Sequence, residues 1–113
     1  MIKLKLNYNG ELISSFTVEG HANAGRFGED IVCSAVTSVT VGTINAIEKL
    51  AKLKPIEKFV EYNQDGGYLK FETPTDVDAE TQKTIQILLQ GMVVSLETIE
   101  LDSKKYMKIN HHK

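Results

Sequence analysis

The chain has 113 residues, 42% of them hydrophobic and 25% charged, with a formal net charge of −2. This is the composition of one ordinary globular domain, here spanning residues 1–113. The net charge is not positive and the sequence contains no Lys/Arg cluster, which argues against a nucleic-acid partner. No uninterrupted apolar stretch approaches the roughly 20 residues of a membrane span, so no membrane partner is expected.

The first half of the chain predicts two strands and a helix. Apolar residues alternate from Ile2 to Tyr8, Asn9-Gly10 favours a tight hairpin turn, and a second strand ends near Glu19. That second strand is expected to place Leu12, Phe16 and Val18 on one face. A helical stripe then begins near Asp30 and consists of Val32, Ala35, Val36, Val39, Thr43, Ala46, Ile47 and Leu50. Pro55 is predicted to stop this helix.

The second half repeats the order with a second hairpin and helix. Asp65-Gly66-Gly67 predicts a turn between strands at 59–62 and 68–73. Thr75 and Asp78 have the spacing of a capping box. The helix that follows has an apolar stripe of Ile85, Leu88, Leu89, Met92, Leu96 and Ile99. A last strand is predicted from Tyr106 to Ile109, and His111-His112-Lys113 is predicted to be a frayed tail.

The order ββαββαβ predicts an α+β fold. One-sided strands and two amphipathic helices favour two layers, with an approximately five-stranded mixed sheet and both helices on one face. A single cysteine cannot form an internal disulfide, and the N-terminus lacks the apolar core of a signal peptide. The expected location is therefore the cytoplasm.

The segment from Gly20 to Asp30 is the predicted location of a catalytic site. It contains three glycines, with His21 at its entrance and Cys33, the only cysteine, just past its exit. If Asp30 caps the helix, Cys33 lies in the first turn, where unpaired N–H groups and the helix dipole favour a thiolate. His21 would remove the thiol proton, and the N–H groups would receive an oxyanion.

Other interpretations of the same residues remain open. Cys33 alone is typical of a small buried hydrophobe, His21 of a loop residue, and Asp30 of a plain helix cap. Thr37 is equally consistent with a hydroxyl that bonds back to its own helix. A phosphate loop is disfavoured because no Gly-Lys-Ser/Thr follows, and zinc because the histidines lack a known ligand spacing. A thiol enzyme and a non-catalytic interaction module are then about equally supported.

A family resemblance separates the two. The chain resembles the ribosomal-processing cysteine proteases of Gram-positive and related bacteria in Gly20-His21-Ala22, then Gly28, then Asp30-Ile31-Val32-Cys33 and Ala35-Val36-Thr37. The resemblance implies that Cys33 is the nucleophile and His21 the general base. Asp30 becomes a candidate orienter of the histidine, and Thr37 a supporting hydroxyl beside the thiol.

The resemblance also implies a substrate and an assembly. The expected reaction removes the N-terminal extension from the precursor of the large-subunit ribosomal protein numbered twenty-seven. A homodimer is expected, with no cofactor and no metal. The alternative function is a non-catalytic ribosome-assembly or peptide-binding module. A glycine-rich loop is expected to gate the cleft, and its substrate-contacting residues are Gly20, Ala22, Gly25, Phe27 and Gly28.

Overall fold

The computed structural model describes residues 1–20 and 27–113, with the side chains of 27–29 excepted. Its elements are β1 (Ile2–Asn9), β2 (Leu12–Glu19), α1 (Phe27–Leu50), a 3-10 turn (Ile56–Phe59), β3 (Val60–Tyr62), β4 (Tyr68–Glu72), α2 (Ala79–Asp102) and β5 (Met107–His112). The predicted order of strands and helices is confirmed.

The five described strands form one mixed sheet in the order β3-β4-β2-β1-β5. β1 and β5 are parallel, with Ile2 opposite Met107, and the remaining neighbours are antiparallel. A parallel pair needs a long crossover, which the chain between β1 and β5 supplies. The expected α+β fold with a five-stranded mixed sheet is confirmed.

The core lies between the sheet and the two helices. The strands contribute Leu4, Leu6, Phe16 and Phe71, and the helices contribute Val36, Ile47, Ile85, Leu89 and Leu96. The other face of β1 carries Lys3 and Lys5, which are exposed. This alternation is what places both helices on one side of the sheet.

A bulge between β1 and β2 corrects one predicted face. Asn7 pairs with Ser15 and Tyr8 with Ile13, so Ser14 is the extra residue. Ile13 consequently enters the core, whereas Leu12, predicted to face inward, is 46% exposed. The buried side chain of Gln86 on α2 accepts a bond from the Ile13 N–H at 2.8 Å and donates to its carbonyl at 3.0 Å.

The end of α1 also differs from the prediction. The helix ends at Leu50 rather than at Pro55, and Lys52 has a left-handed backbone with φ of 56°. Leu50, which the predicted stripe included, is the last residue of the helix and is 62% exposed, so it does not join the core. Thr40 and Ile44, which the stripe omitted, are buried, and the Thr40 hydroxyl donates to the Val36 carbonyl.

Two predictions near the end of the chain were wrong in detail. The cap of α2 is Asp78, whose carboxylate accepts the Thr81 N–H at 2.7 Å, so the helix begins at Ala79. Strand β5 extends to His112, and His111 stacks on the Tyr8 ring and bonds to its hydroxyl at 2.8 Å. The predicted frayed tail is therefore largely strand.

Two helical stretches, from Asp30 to Leu50 and from Ala79 to Asp102, have the length and composition of a membrane span. The sequence prediction had found no such stretch, because polar residues interrupt both. Each helix contributes buried side chains to the same core, such as Val36 on α1 and Leu89 on α2. A helix that packs in a domain core accounts for this composition equally well.

Candidate active site

The predicted catalytic residues fall on both sides of the boundary of the described chain. His21, Ala22 and Gly25 lie outside the described residues. Phe27 and Gly28 open α1, and nothing is described of their side chains. Gly20, Asp30, Cys33 and Thr37 are described, so the site is built from these.

Cys33 is a free, half-buried thiol on α1 that packs against the edge of the core. It is the seventh residue of the helix, which begins at Phe27. The predicted cap at Asp30 is therefore wrong, and Cys33 is not in the first turn. It lies about 9 Å along the axis from the first residue, beyond the turn where the helix dipole acts. The helix dipole therefore does not support the predicted role of Cys33, which leaves the predicted base His21 as its expected activating group.

Asp30 and Thr37 flank Cys33 on one side of α1, at three and four residues' distance. Both side chains are exposed, whereas Val32 and Val36 between them are buried. The three polar positions therefore form a strip along the open side of the helix. Asp30 is consistent with an orienting carboxylate and Thr37 with a supporting hydroxyl, and both roles stay predictions.

Gly20 is the last described residue before His21, and its position is well defined by its contacts. Its φ is 109°, and its N–H donates to the carbonyl of Gly67 at 3.1 Å. A side chain at this position would overlap the carbonyl oxygen of Met1. The backbone after β2 therefore passes closely between the N-terminus and the β3–β4 turn. Glycine permits this close approach because it has no side chain.

The β3–β4 turn is itself held by local bonds. The Asp65 carboxylate accepts the Gly67 N–H at 2.9 Å, and the Gly66 N–H donates to the Asn63 carbonyl at 3.0 Å. The predicted Asp65-Gly66-Gly67 turn is confirmed. Because Gly67 also accepts the Gly20 N–H, this turn is bonded to the residue that immediately precedes His21 in the sequence.

An apolar cleft of about 370 Å³ runs between α1, the 3-10 turn and the β3–β4 hairpin. Thr37, one turn beyond Cys33, lines it, as does Val18, three residues before His21. The described lining residues are Val18, Thr37, Thr40, Val41, Ile44, Asn45, Ile56, Glu57, Val60, Tyr62, Asn63, Gly66, Tyr68 and Leu69. Strand β2, which ends two residues before His21, and helix α1, which carries Cys33, therefore both line this cleft.

Sequence reasoning missed the cleft. Its signal was Tyr62 and Tyr68, two aromatic residues flanking the glycine turn, of which Tyr62 is 68% exposed. No group of three or more potential metal ligands occurs among the described residues. A peptide with apolar side chains is what such a cleft can hold beside a thiol.

Comparisons with known proteins agree with this chemistry. The family model of cysteine protease Prp matches residues 1–108. The chain belongs to this family. It is therefore a cysteine protease, which confirms the enzyme class expected from the sequence.

Individual members of the Prp family are similar to this chain over most of its length. A ribosomal processing cysteine protease Prp of Bacillus subtilis is 43% identical over 97 residues, which cover 86% of this chain and 84% of the relative. The crystal structure of the essential ribosomal processing protease Prp from Staphylococcus aureus with a covalently linked product peptide has a TM-score of 0.81 and 31% identity. It covers 98% of this chain and 99% of its own. A second structure of the Staphylococcus aureus protein, with a substrate peptide, has a TM-score of 0.82 and 31% identity, with the same coverage.

Proposed function

We propose that this protease removes the N-terminal extension from the precursor of the large-subunit ribosomal protein numbered twenty-seven. The observation that carries the proposal is the half-buried Cys33 thiol on α1, one helical turn before Thr37, which lines an apolar cleft. The relatives named ribosomal processing proteases support the substrate class.

In the proposed reaction Cys33 is the nucleophile and His21 the base. His21 takes the thiol proton, and the thiolate attacks the scissile carbonyl carbon to form a C–S bond. The C–N bond then breaks as His21 returns the proton to the leaving amine. Water, deprotonated by His21, attacks the thioester, releases the carboxylate and restores the thiol.

The cleft supplies binding and exclusion of water in this scheme. Its apolar wall, with Val41, Ile44 and Leu69, desolvates the part of the peptide that extends along α1 away from the thiol. Asp30 orients His21 in the proposal, and the segment with Gly20, Ala22, Gly25, Phe27 and Gly28 closes over the substrate. A homodimer in the cytoplasm completes the proposal, and sedimentation of the purified protein tests the dimer.

Cleavage of the precursor tests the function. Cys33→Ala protein should lose activity by at least about a thousandfold, because no other group supplies the nucleophile. His21→Ala should lose activity comparably, since the pair acts as one unit. Ser34→Ala is the matched control: Ser34 is the next residue of α1 and is exposed, so its loss should leave cleavage unchanged. The readout is the mass of the precursor and its product.

Each result has a distinct meaning. Cleavage by Cys33→Ala protein as fast as by native protein would overturn the assignment of the nucleophile. If native and Cys33→Ala proteins both bind the precursor and neither cleaves it, the peptide-binding module expected as the alternative is the correct function for this substrate.

A further inference from the structure

The cleft beside Cys33 contains a single acidic or basic residue among its described lining residues. This residue is Glu57, on the 3-10 turn between α1 and β3. The rest of the described lining is aliphatic, aromatic or neutral polar. A carboxylate at the edge of an otherwise uncharged cleft favours a cationic group in what the cleft binds, because charge complementarity selects partners.

The neighbouring lysines do not neutralise Glu57. Lys58 lines a separate cavity with Phe59 and Glu72, and Lys54 lines another with Glu48 and Lys49. Where side chains are described, the ion pair found is Lys70–Glu72, at 3.2 Å, and Glu57 forms none. The carboxylate of Glu57 is thus available to a ligand.

The strand register places Glu57 at the end of the cleft away from the catalytic segment. Gly67 bonds to Gly20, and β3 runs from the 3-10 turn towards that hairpin turn. On the opposite wall, α1 passes from Cys33 to Asn45, which also lines the cleft. Twelve helical residues rise about 18 Å, and an extended peptide covers that distance in about five residues.

We infer that Glu57 binds a Lys or Arg side chain of the substrate about five residues from the scissile bond. The inference rests on the proposed function, because it takes the cleft to be the substrate's path to Cys33. Ribosomal proteins suit it, since proteins that contact the phosphates of RNA are rich in these two residues. Glu57 is then a specificity-determining residue that acts through substrate binding.

A lysine scan tests the inference. The probe is a quenched-fluorescence peptide spanning the precursor's cleavage site, with one Lys moved through each position from three to seven residues away, on either side. For native protein, KM should be lowest with Lys about five residues from the bond on one side. Glu57→Gln should raise that KM about three- to fivefold, the size of an exposed ion pair, with the change falling on KM rather than kcat.

Charge reversal sharpens the result. Glu57→Lys protein should prefer the peptide with Glu in place of that Lys, and the preference should shrink in high salt. Glu61 provides the matched control, because it is an exposed glutamate on neighbouring β3 that does not line the cleft. Glu61→Lys should leave the lysine preference intact. Equal responses of the Glu57 and Glu61 variants would overturn the inference.

Binding separates this inference from the function itself. The Kd of the same peptides is measured by fluorescence anisotropy on Cys33→Ala protein, with and without Glu57→Lys. The preferred Lys peptide should bind several-fold more weakly to the double variant. If native protein cleaves the precursor but Glu57 has no effect on Kd or KM, only the inference fails. If native protein cleaves nothing while Glu57 still controls Kd, the proposed function fails, and Glu57 remains a binding residue for a basic side chain of the peptide.

Discussion

Gly20 connects three parts of the molecule at one residue. Its backbone has a positive φ, its N–H holds the β3–β4 turn, and its missing side chain admits the Met1 carbonyl. The residue immediately after it is His21. The last described residue before the predicted base is therefore held by Met1 and by the β3–β4 turn.

Gly20→Ala should destabilise the fold by about 3 kcal/mol, since strain of the backbone adds to overlap with Met1. Gly10→Ala separates the two causes. Gly10 also has a positive φ, of 65°, but a side chain there would meet nothing within 4 Å. It should cost only about 1 kcal/mol, the backbone part alone. Urea unfolding of both variants measures the difference, and equal losses would show that the Met1 contact is unimportant.

At the scale of single residues, the sequence predicted the protein family correctly but predicted the position of Cys33 within its helix poorly. The spacing of His21 and Cys33 led to the family, which the comparisons confirm. The cap at Asp30 was wrong, since α1 begins three residues earlier, at Phe27. A good N-cap residue permits a helix to start after it but does not require the start. Glu57 carried no sequence signal, because the cleft is formed by segments distant in the chain.

Among the elements, α2 begins at a cap that is sensitive to pH. The N–H of Thr81, donated to the Asp78 carboxylate, lowers the pKa of that carboxyl below its usual 3.8. A lowered folded-state pKa stabilises the protein above the unfolded pKa, and the contribution is lost as the pH falls through the folded pKa.

Asp78→Ala should therefore lower the thermal midpoint at pH 7, and the difference from native protein should shrink as the pH falls below 3.8. Thermal unfolding monitored by circular dichroism between pH 2 and 7 provides the measurement (a range of about five units). Asp76→Ala is the control, as an exposed aspartate two residues earlier that caps no helix. A pH-independent loss in Asp78→Ala would contradict the charge-based explanation.

The choice of cap shows what element boundaries depend on. Thr75 and Asp78 are both good N-cap residues, so the sequence allowed either start. The apolar stripe of α2 was predictable because its period is local, and Ile85, Leu89, Met92 and Leu96 are indeed buried. The bulge at Ser14 was not predictable from the sequence. The adjacent Ile13 is held by Gln86, which lies on α2 some seventy residues away in the chain.

At the scale of the whole molecule, the parallel pairing of β1 with β5 completes the sheet, and β5 is its edge strand. Met107 on β5 is 1% exposed and sits opposite Ile2. Alternation predicted the strands but not this pairing, because the partners are separated by nearly the full chain. Non-local pairing is specified by the complete core rather than by either strand.

Removal of residues 107–113 should prevent stable folding. Loss of the Met107 side chain alone costs about 2–5 kcal/mol, a large fraction of the stability of a small domain. Removal of Lys113 alone, whose ammonium lies 5.2 Å from the centre of the Tyr8 ring, should cost at most about 1 kcal/mol. Far-UV circular dichroism and size-exclusion chromatography distinguish the two. A folded, monodisperse chain without residues 107–113 would show that the sheet does not need β5.

The β1–β5 pair also imposes an order in time. β1 leaves the ribosome before the other described elements, and β5 leaves after them. Until then one edge of β1 has no strand to bond, and the core lacks Met107. The thiol on α1 is made early but is held by a finished sheet only once synthesis has passed β5. The fold around Cys33 is therefore completed only after Cys33 itself has been translated.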